Sequence, residues 1–242
     1  MPTPSPWATG SPTPVGPPPR RRRRPPGLLL VAATLLAGSL AQPAAAAEVT
    51  VAMWHMEETT GLTMTDSSGR GNAGRRDHVA VGAVGVAGRA YRFDGRSSIV
   101  RVLHSRSLTP GTAPLKISAW LLLAGRPTGT DDYDVVRKGT WSSPGGFFKM
   151  QIGTDGRANC RFRGSLRDAL VVGGQALDDG RWHAVLCRKR DGHISVEVDG
   201  RVTARPVRVG SIGPTDSLTL GAKALGNDYY AGRMDEVRIG VG

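Results

Sequence analysis

The chain has 242 residues, with 32 Lys or Arg against 20 Asp or Glu for a formal net charge of +12, and only 5% of it is aromatic. The basic excess comes without any helical or zinc-finger motif for reading nucleic acid, so a nucleic-acid partner is not expected. No stretch sustains a 3.6-residue apolar period, which excludes a helical fold.

In chain order, residues 1 to 19 are dominated by Pro, Thr, Ser and Gly, a composition that buries too little apolar surface to offset the entropy of ordering. A basic run, Arg20 to Arg24, then precedes an apolar stretch from Leu28 to Leu40 and a small-residue run from Ala44 to Ala47. That order is the order of a secretory signal peptide. The apolar stretch is about thirteen residues, short of the roughly twenty that cross a bilayer. Residues 1–47 are therefore expected to be a leader and signal peptide, cleaved after Ala46 or Ala47, and residues 48–242 an exported domain with no membrane span. The length of the leader is met either by a long n-region or by translation starting at Val15. Pro25 and Pro26 follow the arginines where a twin-arginine signal prefers an apolar residue, so that route has weak support. Losing the leader removes five arginines and no acid, and the excess of twelve basic charges falls to seven.

Beyond Glu48, short apolar alternations recur between Gly, Pro and Asp turns. They run from Val49 to Met56, Ala90 to Asp94, Ser98 to Leu103, Leu115 to Leu123, Asp134 to Arg137, Phe147 to Ile152 and Arg157 to Phe162. They continue from Ala169 to Val172, Trp182 to Arg188, His193 to Val198, Arg201 to Arg205, Ser217 to Leu220 and Tyr230 to Ile239. This pattern predicts an all-β sandwich or jelly roll. Asp155-Gly156, Asp191-Gly192 and Asp199-Gly200 carry the signal for two-residue hairpin turns, because Asp tolerates and Gly favours the positive φ of primed turns. Cys160 and Cys187 both fall in predicted strands; in an oxidising compartment they read as a disulfide between neighbouring strands, worth about 3 kcal/mol, and otherwise as two buried thiols.

The order of short motifs carries a resemblance. Trp54-His55-Met56-Glu57-Glu58, Asp66-Ser67-Ser68-Gly69-Arg70-Gly71-Asn72 and Gly85-Val86-Ala87-Gly88-Arg89-Ala90-Tyr91-Arg92-Phe93-Asp94-Gly95 open it. Ile117-Ser118-Ala119-Trp120, Arg137-Lys138-Gly139, Gly180-Arg181-Trp182-His183, Val198-Asp199-Gly200 and Gly232-Arg233-Met234-Asp235-Glu236-Val237-Arg238-Ile239 complete it. The chain from about residue 49 to 240 resembles a bacterial laminin G-like domain of the concanavalin A-like lectin/glucanase superfamily. The resemblance implies a jelly-roll sandwich of two antiparallel sheets with the two ends of the domain pairing side by side. It also makes Trp54, Trp120 and Trp182 core anchors. Such folds host lectins, glycosidases and adhesion modules, so the fold by itself does not name a ligand.

The resemblance further implies one structural Ca2+, with Asp66, Asn72 and Asp235 in motifs able to supply oxygen ligands. The plainer alternative is that Asp66 caps a turn and Asp235 pairs with an arginine. For sugar, the loop aromatics Tyr133, Trp141 and Tyr229 are the stacking candidates. Asp131, Asp132, Asn227 and Asp228 are the polar company that would fix hydroxyls, since loops on a rigid sandwich are where such sites sit. Catalysis is not expected, because Glu57, Glu58, Glu197 and Glu236 are not spaced as the flanking carboxylates of a glycosidase, and no His-Glu-x-x-His or Gly-x-Ser-x-Gly motif occurs. The expected function is that of a secreted, non-catalytic module that binds carbohydrate or a cell-surface polysaccharide. The alternatives are an adhesion module whose basic face docks an acidic extracellular protein and, last, a glycosidase-like enzyme.

Overall fold

The computed structural model describes residues 47–242 apart from Gly129, Asp191 and Leu225. The predicted leader and signal peptide therefore lie, but for Ala47, outside the described residues.

The chain forms strands β1 (Val49–Trp54), β2 (Thr63–Met64), β3 (Gly74–Asp77), β4 (Ala80–Val84), β5 (Arg89–Asp94) and β6 (Ile99–Val102). A 3-10 turn at Arg106–Leu108 leads to β7 (Leu115–Leu123), β8 (Tyr133–Lys138), β9 (Phe147–Ile152), β10 (Arg157–Arg163) and β11 (Asp168–Ala176). The last five are β12 (His183–Arg190), β13 (His193–Val198), β14 (Arg201–Pro206), β15 (Leu218–Leu220) and β16 (Ala231–Val241). They pair antiparallel in two sheets. The first has the order β14-β13-β12-β7-β16-β5-β4, with β1 also on β16, and the second β11-β10-β9-β8-β15-β6-β3-β2. The jelly-roll sandwich expected from the sequence is present. β16 organises the first sheet. One edge pairs with β7, and the other is shared by β5 against Ala231–Met234 and β1 against Val237–Val241.

Strict alternation explains why these segments are strands. Leu115, Ile117, Ala119, Leu121 and Leu123 of β7 are buried and the residues between them are half-buried, which puts one face of the strand against the opposite sheet. Trp54, Phe93, Phe148, Phe162 and Tyr230 are fully enclosed in the same core, each large side chain worth roughly 1.5–3 kcal/mol of burial.

Four readings change. Trp54 is a core anchor, its Nε1 donating to the Asn72 carbonyl at 2.8 Å. Trp120 and Trp182 are only half-buried, and Trp120 occupies an outward position of β7 because its parity is opposite to that of the core residues. The disulfide Cys160–Cys187 exists, with 5.6 Å between Cα atoms, but it joins β10 of the second sheet to β12 of the first and so ties the two layers together. At Asp199-Gly200 both residues take positive φ, 49° and 80°, as a primed turn requires. At Asp155-Gly156 only Gly156 does. There the Gly156 amide donates to Gly153 O at 2.8 Å and the Gly153 amide to Arg157 O at 2.9 Å, so the loop takes in Thr154 as well.

Candidate polar face and loop pocket

Register decides which side chains of the second sheet face away from the core. Phe148, Met150 and Ile152 of β9 point inward with Ala158, Cys160 and Phe162 of β10. The intervening residues line up outside in two cross-strand rows, Arg137-Lys149-Arg161 and Asp134-Gln151-Asn159. Although they lie on the outer side, Lys149 and Gln151 are each only 6% exposed and Asn159 is 5% exposed. The charges are paired. Arg137 Nη1 lies 2.6 Å from Asp134 Oδ2, and Lys149 Nζ lies 3.3 Å from both Asp134 Oδ1 and Asp132 Oδ2. Arg161 makes a two-pronged contact with Asp168 at 3.0 and 2.7 Å. The two amides differ: Gln151 Oε1 and Asn159 Oδ1 are buried and meet no hydrogen-bond donor among the described residues.

At the Gln151 end of this face, the start of β8 and the turn before β16 close a pocket of about 310 Å³ lined by Asp131, Asp132, Tyr133, Asn227, Asp228 and Tyr229. Tyr133 is fixed by an edge-to-face contact with the core residue Tyr230, with ring centroids 5.8 Å apart, and donates its hydroxyl to Arg126 O at 3.1 Å. The facing turn is held by backbone bonds from Lys223 N to Asn227 O and from Asp134 N to Asp228 O, at 3.1 and 2.8 Å. Asp228 sits at φ 54°, a left-handed conformation that Asp tolerates better than most residues. Burial raises the Asp228 carboxyl above the usual carboxylate range, the nearby Asp134 and Asp132 charges add to the rise, and Lys223 and Lys149 oppose it.

Six of the seven ligand candidates named from the sequence thus line one pocket. Trp141 does not. It stands at the opposite end of the polar face, 60% exposed, beside Phe147 with ring centroids 6.3 Å apart and under the guanidinium groups of Arg163 and Arg161 at 4.5 and 5.3 Å. Lys149, Gln151 and Asn159 were missed. The signal that could have found them is a polar residue at every second position of two strands otherwise filled with core residues, Lys149-Met150-Gln151 and Asn159-Cys160-Arg161.

The residues named for calcium are already occupied with other work. Asp66 Oδ1 accepts from the amides of Met53 and Ser68 at 3.0 and 2.9 Å, and Oδ2 from Ser68 Oγ and the Asn72 amide, both at 2.8 Å. Asn72 donates its side-chain amide to Val51 O at 2.6 Å and Ser107 Oγ at 2.9 Å. Burial opposes ionisation of Asp66, yet these bonds outweigh it and lower its pKa. Asp235 serves a different loop, accepting from Val86 and Ala87 at 2.8 and 3.1 Å and from Glu236 at 2.8 Å. It pairs with no arginine among the described residues, and burial raises its carboxyl. Asp66, Asn72 and Asp235 do not assemble the six to eight oxygens a hard cation needs: four of the chain's own donors occupy Asp66 and three occupy Asp235 at a different loop. The turn-capping alternative describes Asp66. On the outer side of the first sheet, Glu197 is in an ion pair with Arg188 at 2.9 Å and Glu236 is hydrogen-bonded to His55 Nδ1 at 2.8 Å.

A family model of the laminin G type, described as the concanavalin A-like lectin/glucanases superfamily, matches residues 94–240. The chain belongs to this laminin G-like family. Comparison with curated proteins gives no match. Among solved structures, the laminin G-like domain is similar to the binding domain of Paraclostridial Mosquitocidal Protein 1, with a TM-score of 0.64 and 14% identity over 78% of this chain and 48% of that one. It is similar to domain 4 of AbnA, a GH43 extracellular arabinanase from Geobacillus stearothermophilus solved with arabinotriose, with a TM-score of 0.62 and 20% identity over 81% and 93%. The binding domain of botulinum neurotoxin DC, solved with SialylT, gives a TM-score of 0.60 and 12% identity over 79% and 47%. At these identities the likeness shows the fold alone, and the chain spans about half the length of the toxin binding domains. The opening motifs, residues 49–93, lie before the matched segment but supply β1 to β5 of the same sandwich.

Proposed function

We propose that this laminin G-like domain is a secreted, non-catalytic module that binds carbohydrate in the pocket between Tyr133 and Tyr229. The observation that carries the reading is the convergence of two tyrosines with Asp131, Asp132, Asn227 and Asp228 on one cavity of about 310 Å³. A ring pair and a set of carboxylate and amide groups suit a sugar, which presents C–H faces and hydroxyls together. Support also comes from domain 4 of AbnA and the neurotoxin DC binding domain, which share the fold and were solved with arabinotriose and SialylT. Export rests on the signal-like order of residues 20–47. A catalytic role is not proposed, since Glu197 is paired with Arg188 and Glu236 is hydrogen-bonded to His55. Glycan-array binding followed by titration calorimetry tests the reading. Tyr229→Ala is expected to weaken the best glycan by about tenfold, near 1.4 kcal/mol. Equal affinity for both proteins, or capture of acidic proteins with no glycan bound, would overturn it.

A further inference from the structure

Basic side chains gather at the end of the second sheet away from the tyrosine pocket. Tyr133 is level with Ile152 at one end of β9, and Phe147 at the other end is level with Arg163, where β10 leads into the turn before β11. Beside that turn Leu166, Arg167, Arg205, Pro206, Val207 and Arg208 line an open groove of about 550 Å³. An adjoining cavity of about 190 Å³ shares Leu166 and Arg208 and adds Arg190. We infer that this groove is a second binding site, separate from the tyrosine pocket, for an acidic polysaccharide whose carboxylates or sulfates are held by Arg167, Arg190 and Arg205.

Three observations carry the assignment. The first is charge. Among the described residues Arg167, Arg190 and Arg205 form no ion pair, and Asp168, the neighbour of Arg167, is held by Arg161 at 2.7 Å. Arg205 Nη1 donates to Leu170 O at 3.1 Å, a neutral acceptor that orients the guanidinium and leaves its charge in place. Residues 164–168, 189–193 and 205–210 together carry five Lys or Arg against Asp168 and Asp191, so a basic excess remains with both acids counted. A guanidinium fork matches the paired oxygens of a carboxylate or sulfate. The second observation is rigidity. Leu166 and Arg167 donate their amides to Val209 O at 3.0 and 3.2 Å, Ser165 to Ser211 O at 2.9 Å and Val207 to Gly192 O at 2.9 Å, so backbone bonds sew together the segments that present the arginines. Gly210 sits at φ 85°, where a Cβ would come within 2.5 Å of Ser165 Oγ and 2.8 Å of Leu166 Cγ; only glycine allows that approach. A site held by its own backbone loses less entropy on binding. The third is the apolar part of the lining. Leu166 is 66% exposed and shares the groove with Pro206 and Val207. A uronic-acid or sulfated sugar presents C–H surface and an oxyanion on each repeat, whereas a polyphosphate chain presents only the charge.

Affinity electrophoresis of the protein through gels containing polygalacturonate or dextran sulfate, with polyphosphate and poly-glutamate alongside, tests this. Retardation by at least one of the two acidic polysaccharides is expected, and it should weaken about tenfold between about 0.1 M and about 1 M salt, as the screening length falls from about 10 Å to about 3 Å. Arg167→Glu/Arg205→Glu is expected to weaken retention about tenfold at the lower salt. Arg70→Glu/Arg96→Glu, the same change of net charge on arginines exposed elsewhere, and Tyr229→Ala are expected to bind like wild type. Thermal melts confirm folding, and Arg190→Glu carries the test if the Arg167 and Arg205 pair does not fold. Equal weakening by both glutamate pairs reduces the effect to net charge and overturns the site. Wild-type retention by Arg167→Glu/Arg205→Glu with loss in Tyr229→Ala overturns it and places the acidic chain in the tyrosine pocket. Retention by polyphosphate or poly-glutamate and by neither polysaccharide overturns the ligand class. No retention by any polyanion overturns the groove while leaving the tyrosine pocket to its own glycan test.

Discussion

His183 sits between two carboxylates, its Nδ1 2.7 Å from Asp199 and its Nε2 2.8 Å from Asp179, with only 5% of the residue exposed. Burial pulls the imidazolium pKa down, but the hydrogen bonds and charges of Asp199 and Asp179 outweigh it and the net shift is upward. Asp199 also accepts the Ala184 amide at 2.9 Å, so the pair ties the β13–β14 turn to the start of β12. A group whose folded pKa is raised stabilises fully below its unfolded value, about 6.5, and loses that contribution as pH rises through the folded value. The melting temperature should therefore fall as pH is raised from about 6 to beyond the folded pKa, whereas His183→Gln should melt lower at about pH 6 and show a flatter profile. Parallel profiles for the two proteins would remove His183 from the account.

At the scale of elements, the long strands were legible because their alternation is unbroken. Leu115–Leu123, Phe147–Ile152 and His193–Val198 have the bounds that alternation and turn signals predict. β2, β3 and β4 were not legible. β3 is Gly74-Arg75-Arg76-Asp77, and it buries an arginine; Arg76 Nη2 donates to Thr60 O and Gly61 O, both at 2.7 Å, and its guanidinium lies 4.9 Å from the Tyr91 ring centroid. Partners that far apart in sequence override local propensity. The cysteines were legible as a pair, while the sheets they join depend on which strands stack. The bridge ties β10 and β12 of different layers together in the folded protein and restricts the loop between the two cysteines in the unfolded chain. With a sequence separation of 27 between the cysteines, a Cys160→Ala/Cys187→Ala double variant should lose about 3 kcal/mol in urea unfolding, or roughly 6–12 °C of Tm at 2–4 °C per kcal/mol. A loss below about 1 kcal/mol would show that core packing alone fixes the layers.

For the molecule as a whole, the legible part of the site was its rim. Tyr133, Tyr229 and their polar neighbours were visible because aromatic and acidic residues share turns that the sandwich must present outward. Gln151 and Asn159 were not, since each is one polar residue inside a strand, and only the register of β8, β9 and β10 shows them buried side by side without donors. The calcium expectation did not fit for a similar reason. Whether Asp66 is available depends on four donors, two of them from the backbone of Met53 and Asn72, that sequence does not place. The net positive charge was also a poor guide to the second sheet's face, since its Arg137, Lys149 and Arg161 are paired with aspartates. The measurement that tests the central claim most directly is a chemical-shift titration of isotope-labelled protein with the best neutral glycan of the array. The account predicts shifts in the backbone of residues 131–133 and 227–229, which line the pocket. Shifts confined to the outer side of the first sheet around Trp120 and Leu186, with the second sheet unmoved, would contradict it.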